Sequence, residues 1–123
     1  MKLTELFKSG GRGVIATADN GGNVNTAVYA LTHIIDENTV AWGMTESRTY
    51  RNVLINPLAA YLYMNPGKGY SGVRLSLKLK NIEDSGVLLD AIRERTAEIV
   101  SPQAAAAVKH VAYFEVIEIR PLL

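Results

Sequence analysis

Residues 73–80 read Val-Arg-Leu-Ser-Leu-Lys-Leu-Lys, an unbroken alternation of apolar and polar side chains that constrains the fold more than any other stretch. Successive side chains of a strand point to opposite faces. Val73, Leu75, Leu77 and Leu79 therefore share one face, and Arg74, Ser76, Lys78 and Lys80 the other. A helix would scatter the same leucines around its circumference. One buried face and one wet face imply an antiparallel sheet or barrel, because parallel sheets are covered on both sides.

The remaining segments supply neighbours for this strand. Residues 13–18 are β-branched and apolar, and Asp19-Asn20-Gly21-Gly22-Asn23 is a hairpin turn, so a return strand is expected over 24–32. Residues 33–38 read as a connection leading into a strand over 39–44. Residues 58–64 form another expected strand, with Tyr61 and Tyr63 on one face. A glycine-rich loop over 66–72 precedes the alternating strand, and a last strand is expected over 108–119. Helices are expected over 2–9, 48–55, about 85–99 and through the alanines 104–107. In the second, Tyr50, Val53 and Leu54 share a side; in the third, Leu88, Ile92 and Arg95 do. Pro57 disfavours helical geometry at Asn56, and Ser101-Pro102 is an N-cap followed by a first-turn proline. The expected fold is mainly β with inserted helices, a single domain over 1–123.

Composition removes several function classes. With 13 basic and 12 acidic residues the net charge is +1, so no field draws in nucleic acid or an anionic membrane. No apolar run approaches the ~20 residues that span a bilayer, and no targeting segment is visible, which reads as cytoplasmic. The chain has no cysteine, which excludes disulfides, thiolate catalysis and Cys-ligated metal. His33 and His110 lie far apart without a visible third ligand, and no metal site is expected. Glu115 and Glu118, three apart in an expected strand, should point to opposite faces and form no acid–base pair. With no catalytic constellation in view, any enzyme chemistry falls to a cofactor.

The most suggestive site lies where the strand over 39–44 hands over to a helix through Thr45-Glu46-Ser47-Arg48-Thr49. A helix start leaves N–H groups unpaired at the positive end of its dipole, and hydroxyls with an arginine add donors and charge suited to a phosphate. Ordinary capping by Ser47 or Thr45 accounts for the same hydroxyls. Asn25 within an expected strand could bond a polar ligand or simply satisfy backbone after the turn. The loop Gly67-Lys68-Gly69-Tyr70-Ser71-Gly72 lacks the spacing of a nucleotide-binding loop.

Three pieces together resemble the flavin-binding split-barrel family of pyridoxamine 5′-phosphate oxidase-like proteins, over residues 3–120. They are Gly13-Val-Ile-Ala-Thr-Ala with Val24-Asn25-Thr26-Ala27; Thr45-x-Ser47-Arg48-x-x-Arg51-Asn52-Val53-Leu54-x-Asn56-Pro57-x-Ala59-Ala60; and Tyr70-Ser71-Gly72-Val73-Arg74-Leu75. The resemblance implies a six-stranded antiparallel split β-barrel of Greek-key type, assembled as a homodimer with FMN at the subunit interface. It implies that Asn25, Thr26 and Ala27 line the flavin ring and ribityl chain, and that Gly43, Met44 and Thr45 border the ring. Ser47, Arg48 and Thr49 would hold the phosphate, with Asn52 supporting them.

The family's oxidases are longer, with a lysine where Thr49 stands and an arginine near Asn25. These departures imply the small flavoprotein branch, FMN-binding redox proteins and flavin reductases, rather than a vitamin B6 substrate. NAD(P)H or a small redox substrate would then be the partner. A non-catalytic flavin carrier or small-ligand-binding protein of the same fold is the alternative. One cationic phosphate ligand instead of two is compatible with weak FMN binding or a different flavin-like cofactor, and the sequence does not separate FMN from deazaflavin or haem.

Overall fold

The computed structural model describes residues 2–30 and 32–123. In chain order the elements are α1 (Leu3–Leu6), β1 (Arg12–Ala18), β2 (Val24–Val28), β3 (His33–Asp36), β4 (Thr39–Met44), α2 (Arg48–Ile55), β5 (Leu58–Met64), β6 (Gly72–Glu83), α3 (Val87–Ile99), α4 (Pro102–Ala107) and β7 (His110–Pro121). The strands form one sheet in the order β2-β1-β5-β6-β7-β4-β3, and every paired neighbour is antiparallel. The sheet curls around a common core, yet β2 and β3 at its two ends do not pair with each other. This is a split barrel.

Seven strands replace the expected six. The extra one is β3, which falls where a connection was expected. Its four residues are too short to show alternation, and the turn that follows is held by Asn38 N–H donating to Asp36 Oδ1 at 2.8 Å. The strand expected over 24–32 ends at Val28, and Leu31 within that range lies outside the described residues.

Alternation along β6 holds: Val73, Leu75 and Leu77 are buried. They meet Tyr61 and Tyr63 of β5, Ile15 of β1, Val40, Trp42 and Met44 of β4, and Phe114 of β7. Trp42 lies at the centre, its ring centroid 4.6 Å from Tyr61 and 5.6 Å from Phe114. Each such side chain removed from water stabilises the fold by about 1.5–3 kcal/mol. α1 contributes Leu3 and α2 contributes Val53. Leu54, expected beside Val53, is exposed, because the polar Asn52 takes the buried position instead.

A smaller apolar cluster lies on the outer side of β4 and β7, where Ala41, Val108 and Val111 receive Leu89 and Ile92 of α3. Ile92 is buried as expected, but Leu88 packs only partly and Arg95 is exposed, and the second buried position of α3 is Leu89. The approach of α3 depends on Gly43. A Cβ there would lie 2.7 Å from Ile92 Cγ2 and 3.0 Å from Val108 Cγ1.

The pairing of β6 with β7 shifts register between Ser76 and Leu77, so Ile117 is an extra residue. Glu118 pairs with Ser76 and Glu115 with Lys78, two residues on the same face of β6. Glu115 and Glu118 therefore share a face, contrary to the expectation from their spacing. The terminal helices also differ at their ends: α1 is one turn, not residues 2–9, and α3 starts at Val87 after an N-cap at Gly86.

Candidate functional site

A cleft at the split of the barrel

Among the described residues, β3 pairs with β4 only from Thr39 to Ala41. Met44 C=O accepts from Lys109 N–H on the β7 side. Backbone groups alternate sides along a strand, so those of Gly43 point away from β7, toward the side on which β3 lies. At the other end of the sheet, Tyr29 N–H donates to Gly13 C=O of β1. The same alternation turns the backbone groups of Val28 and Thr26 to the free edge of β2. The outer edge of β2 and the Gly43 end of β4 thus flank the split.

A cavity of about 570 Å³ lies between them. Its floor and walls come from Ala27 to Ala30, from Trp42, Gly43 and Thr45, and from Ile92 and Thr96 of α3, with Ser47 and Thr49 at one end. The lining is apolar in its body and polar at the α2 end, the usual character of a cofactor pocket.

Ser47 is the N-cap of α2, and its Oγ accepts from Tyr50 N–H at 3.3 Å. Ser47 N–H donates to Thr45 C=O, and Arg51 N–H to Ser47 C=O. The N–H groups of Arg48 and Thr49 have no partner among the described residues. Capping therefore explains one orphan donor and leaves two at the positive end of the dipole.

Two polar ties fix this helix start on the sheet. Asn52 Nδ2 donates to Thr17 Oγ1 of β1 at 3.1 Å, with both residues buried. Asn25 Nδ2 donates to Thr49 Oγ1 at 3.4 Å. The opposite wall is held by a relay: Trp42 Nε1 donates to Thr32 Oγ1 (3.2 Å), Thr32 to Tyr61 Oη (3.0 Å), and Tyr61 to Tyr29 C=O (2.5 Å). Burial pushes the Tyr61 phenol up to about 12, so it remains a donor throughout the neutral range.

Where the expected site residues lie

Ala27, Gly43, Thr45, Ser47 and Thr49 come together on the cavity wall. Asn25 reaches the same end through its bond to Thr49. Asn52 is buried behind α2 and positions it without lining the cavity. Met44 faces the barrel interior, because alternation along β4 sends Gly43 and Met44 to opposite sides. Thr26 points its side chain to the outer face and offers only backbone to the open edge. Arg48 is exposed and does not line the cavity. Asp19 is held below the usual carboxylate range chiefly by its hydrogen bonds from Asn23, with Arg48 adding a smaller attraction.

Two wall residues were missed in the sequence. Tyr29 was read only as part of a strand. Its phenol is pushed up by burial, and hydrogen bonding with Ser47 and Thr49 opposes that shift. His33, read as a structural or surface residue, lines the cavity, and burial followed by the charge of Arg95 lowers its pKa. Tyr29 could have been found by two-residue periodicity from Asn25 and Ala27. No sequence signal distinguishes His33.

His110 lies apart from the cavity. Its Nδ1 is 2.5 Å from Asp84 Oδ1, its Nε2 is 3.4 Å from Glu46 Oε1, and its ring stacks on Tyr50 at 3.9 Å.

Similarity to known proteins

No protein-family model matches the sequence, and no curated protein matches it significantly. Solved structures do match. An FMN-binding protein from Syntrophomonas wolfei aligns with a TM-score of 0.80 at 20% identity, covering 98% of this chain and 80% of the other. HupZ of Group A Streptococcus aligns at 0.78 and 18%, covering 99% and 94%. A candidate pyridoxamine 5′-phosphate oxidase from Lactobacillus delbrueckii aligns at 0.65 and 17%, covering 94% and 88%. Structures of an F420 reductase and of HutZ, a haem storage protein from Vibrio cholerae, share the same architecture. The chain has the split-barrel fold of pyridoxamine 5′-phosphate oxidase-like proteins. Among the described residues, no helix is long and apolar enough to cross a membrane.

Proposed function

We propose that this chain is an FMN-binding flavoprotein and that the cleft at the barrel split is its flavin site. One observation carries the reading: an apolar cavity of about 570 Å³ ends at Ser47 and Thr49, at the start of a helix whose first two N–H groups have no partner among the described residues. That is an apolar slot with an anion-binding end, the pattern that a phosphorylated aromatic cofactor requires. Ser47, Thr49 and the helix N–H groups would hold the phosphate, with Arg48 closing over it from the rim. Asn25, Ala27 and Tyr29 would follow the ribityl chain, and the backbone edges at Thr26 and Gly43 would meet the ring. Bound flavin supplies hydride or electron transfer, which suits a cavity wall whose titratable side chains are Tyr29 and His33.

The reading extends to a cytoplasmic oxidoreductase or flavin reductase that takes electrons from NAD(P)H or a small redox substrate. A non-catalytic flavin carrier is the alternative. Assembly as a homodimer is supported by the outer face of the sheet. There Leu58, Leu62 and Met64 of β5 are exposed, with Val28 of β2 one strand further across Val14 of β1, an apolar surface that a second copy would cover.

A haem reading has one observation in its favour. His33 presents an imidazole in the cavity wall whose pKa is lowered by burial and by Arg95, and a neutral imidazole is a haem ligand. The absorbance spectrum of the purified protein, followed by titration of its flavin-free form with FMN and with haem, separates the cofactors. Flavin reduction by NAD(P)H then separates enzyme from carrier. Saturable FMN binding supports the proposal; a haem spectrum with indifference to FMN overturns it.

A further inference from the structure

A second hollow, of about 440 Å³, opens beside the cleft and shares Ala30 and His33 with it. Three basic residues from separate parts of the chain line it: Lys8 after α1, His33 at the start of β3, and Arg95 on α3. No carboxylate lines it, and among the described residues none of the three is paired with an acid. In a chain with 13 lysines and arginines against 12 acidic residues, two convergent cations beside an imidazole, with no carboxylate in the lining, are a local departure from balance. A guanidinium offers a planar fork of donors matched to an oxyanion, and a lysine adds a mobile point charge.

We propose that this hollow binds the anionic head group, a phosphate or carboxylate, of a small molecule whose remainder lies against the cleft at Ala30 and His33. The head group would sit between Arg95 and Lys8, with the imidazole of His33 on its inner side. The groups facing His33 fit this role. Arg95 and Lys8 are positive, and the Tyr63 hydroxyl is already engaged as a donor to Lys8 C=O. Burial and the charge of Arg95 lower the pKa of His33. An anion seated beside it would offset that charge, so binding would raise the pKa and favour proton uptake. The site does not depend on which cofactor fills the neighbouring cleft.

The test uses the full chain without flavin. The His33 imidazole, assigned with His33→Gln, is followed by NMR during titration with sodium phosphate or sodium succinate at constant ionic strength. The expected result is a saturable shift and a raised His33 pKa. Arg95→Ala should weaken binding about tenfold or more and Lys8→Ala less, while Lys78→Ala on the far strand β6 leaves it unchanged. A response to phosphate alone or to succinate alone identifies the head group. A response to neither anion, one reproduced by chloride, or one that survives Arg95→Ala overturns the site. Because the readout needs no flavin, failure of FMN to bind would leave this result intact, and the reverse also holds.

Discussion

The interior of the barrel and the cleft at its split are built from the same strands and differ in how completely they are closed. Inside, Trp42, Tyr61, Phe114 and Ile15 are almost wholly buried, and the polar tips of Trp42 and Tyr61 are engaged in hydrogen bonds. In the cleft, much of the wall is small or half-exposed, Ile99 faces solvent, and two helix N–H groups lack partners among the described residues. Two-residue alternation separates the two environments: β4 sends Met44 inward and leaves Gly43 on the cleft side. The difference teaches that stability and ligand capacity are assigned to opposite faces of one strand. Substitutions on the inward face should therefore weigh mainly on folding and those on the cleft face mainly on binding, while residues that touch both, such as Trp42 and Gly43, affect each.

Truncation at the centre of the barrel should have the largest effect. Trp42→Ala is expected to lower unfolding free energy by about 3–5 kcal/mol in denaturant titration, whereas Ile99→Ala in the cleft wall should change it by about 0.5 kcal/mol or less. Similar losses at both positions would break the comparison. Next come residues that join the two regions. Asn52→Leu strands the buried Thr17 hydroxyl and should cost about 1–3 kcal/mol, with weaker FMN binding because α2 loses its anchor. Gly43→Val drives its side chain into Ile92 and Val108. It should destabilise by a similar ~1–3 kcal/mol and displace α3 from the cleft, visible as changed chemical shifts along Leu89–Thr96.

A subtler contrast lies in alkali. The Tyr61 phenol has its pKa raised from 10.0 to about 12, so folding favours its protonated form. That contribution is full below pH 10 and is lost as pH rises through about 12. Unfolding midpoints measured from pH 9 to 12 should fall less steeply in Tyr61→Phe than in the parent chain; parallel curves would contradict the assignment.

Much of this division was legible in the sequence, where periodicity carried it. The β6 alternation, the paired tyrosines of β5, and the Ser47 cap with its helix end before Pro57 all hold, because each rests on a local rule. β3 was hidden because four residues, His-Ile-Ile-Asp, display no period. The common face of Glu115 and Glu118 was hidden because a bulge at Ile117 depends on its partner strand. The site was readable as a helix start with donors. The placement of Arg48 outside the cavity, and of His33 inside it, depends on how distant segments meet.

The central claim is that the cleft ends in a phosphate site at the start of α2. It is tested most directly by titrating the flavin-free protein with FMN and, in parallel, with riboflavin, which lacks the phosphate. Charge-assisted hydrogen bonds at the helix start should favour FMN by about 1.5–3 kcal/mol, roughly 10- to 150-fold, and Ser47→Ala and Arg48→Ala should narrow the gap. Equal affinities for the two flavins, or binding of neither, would contradict the account.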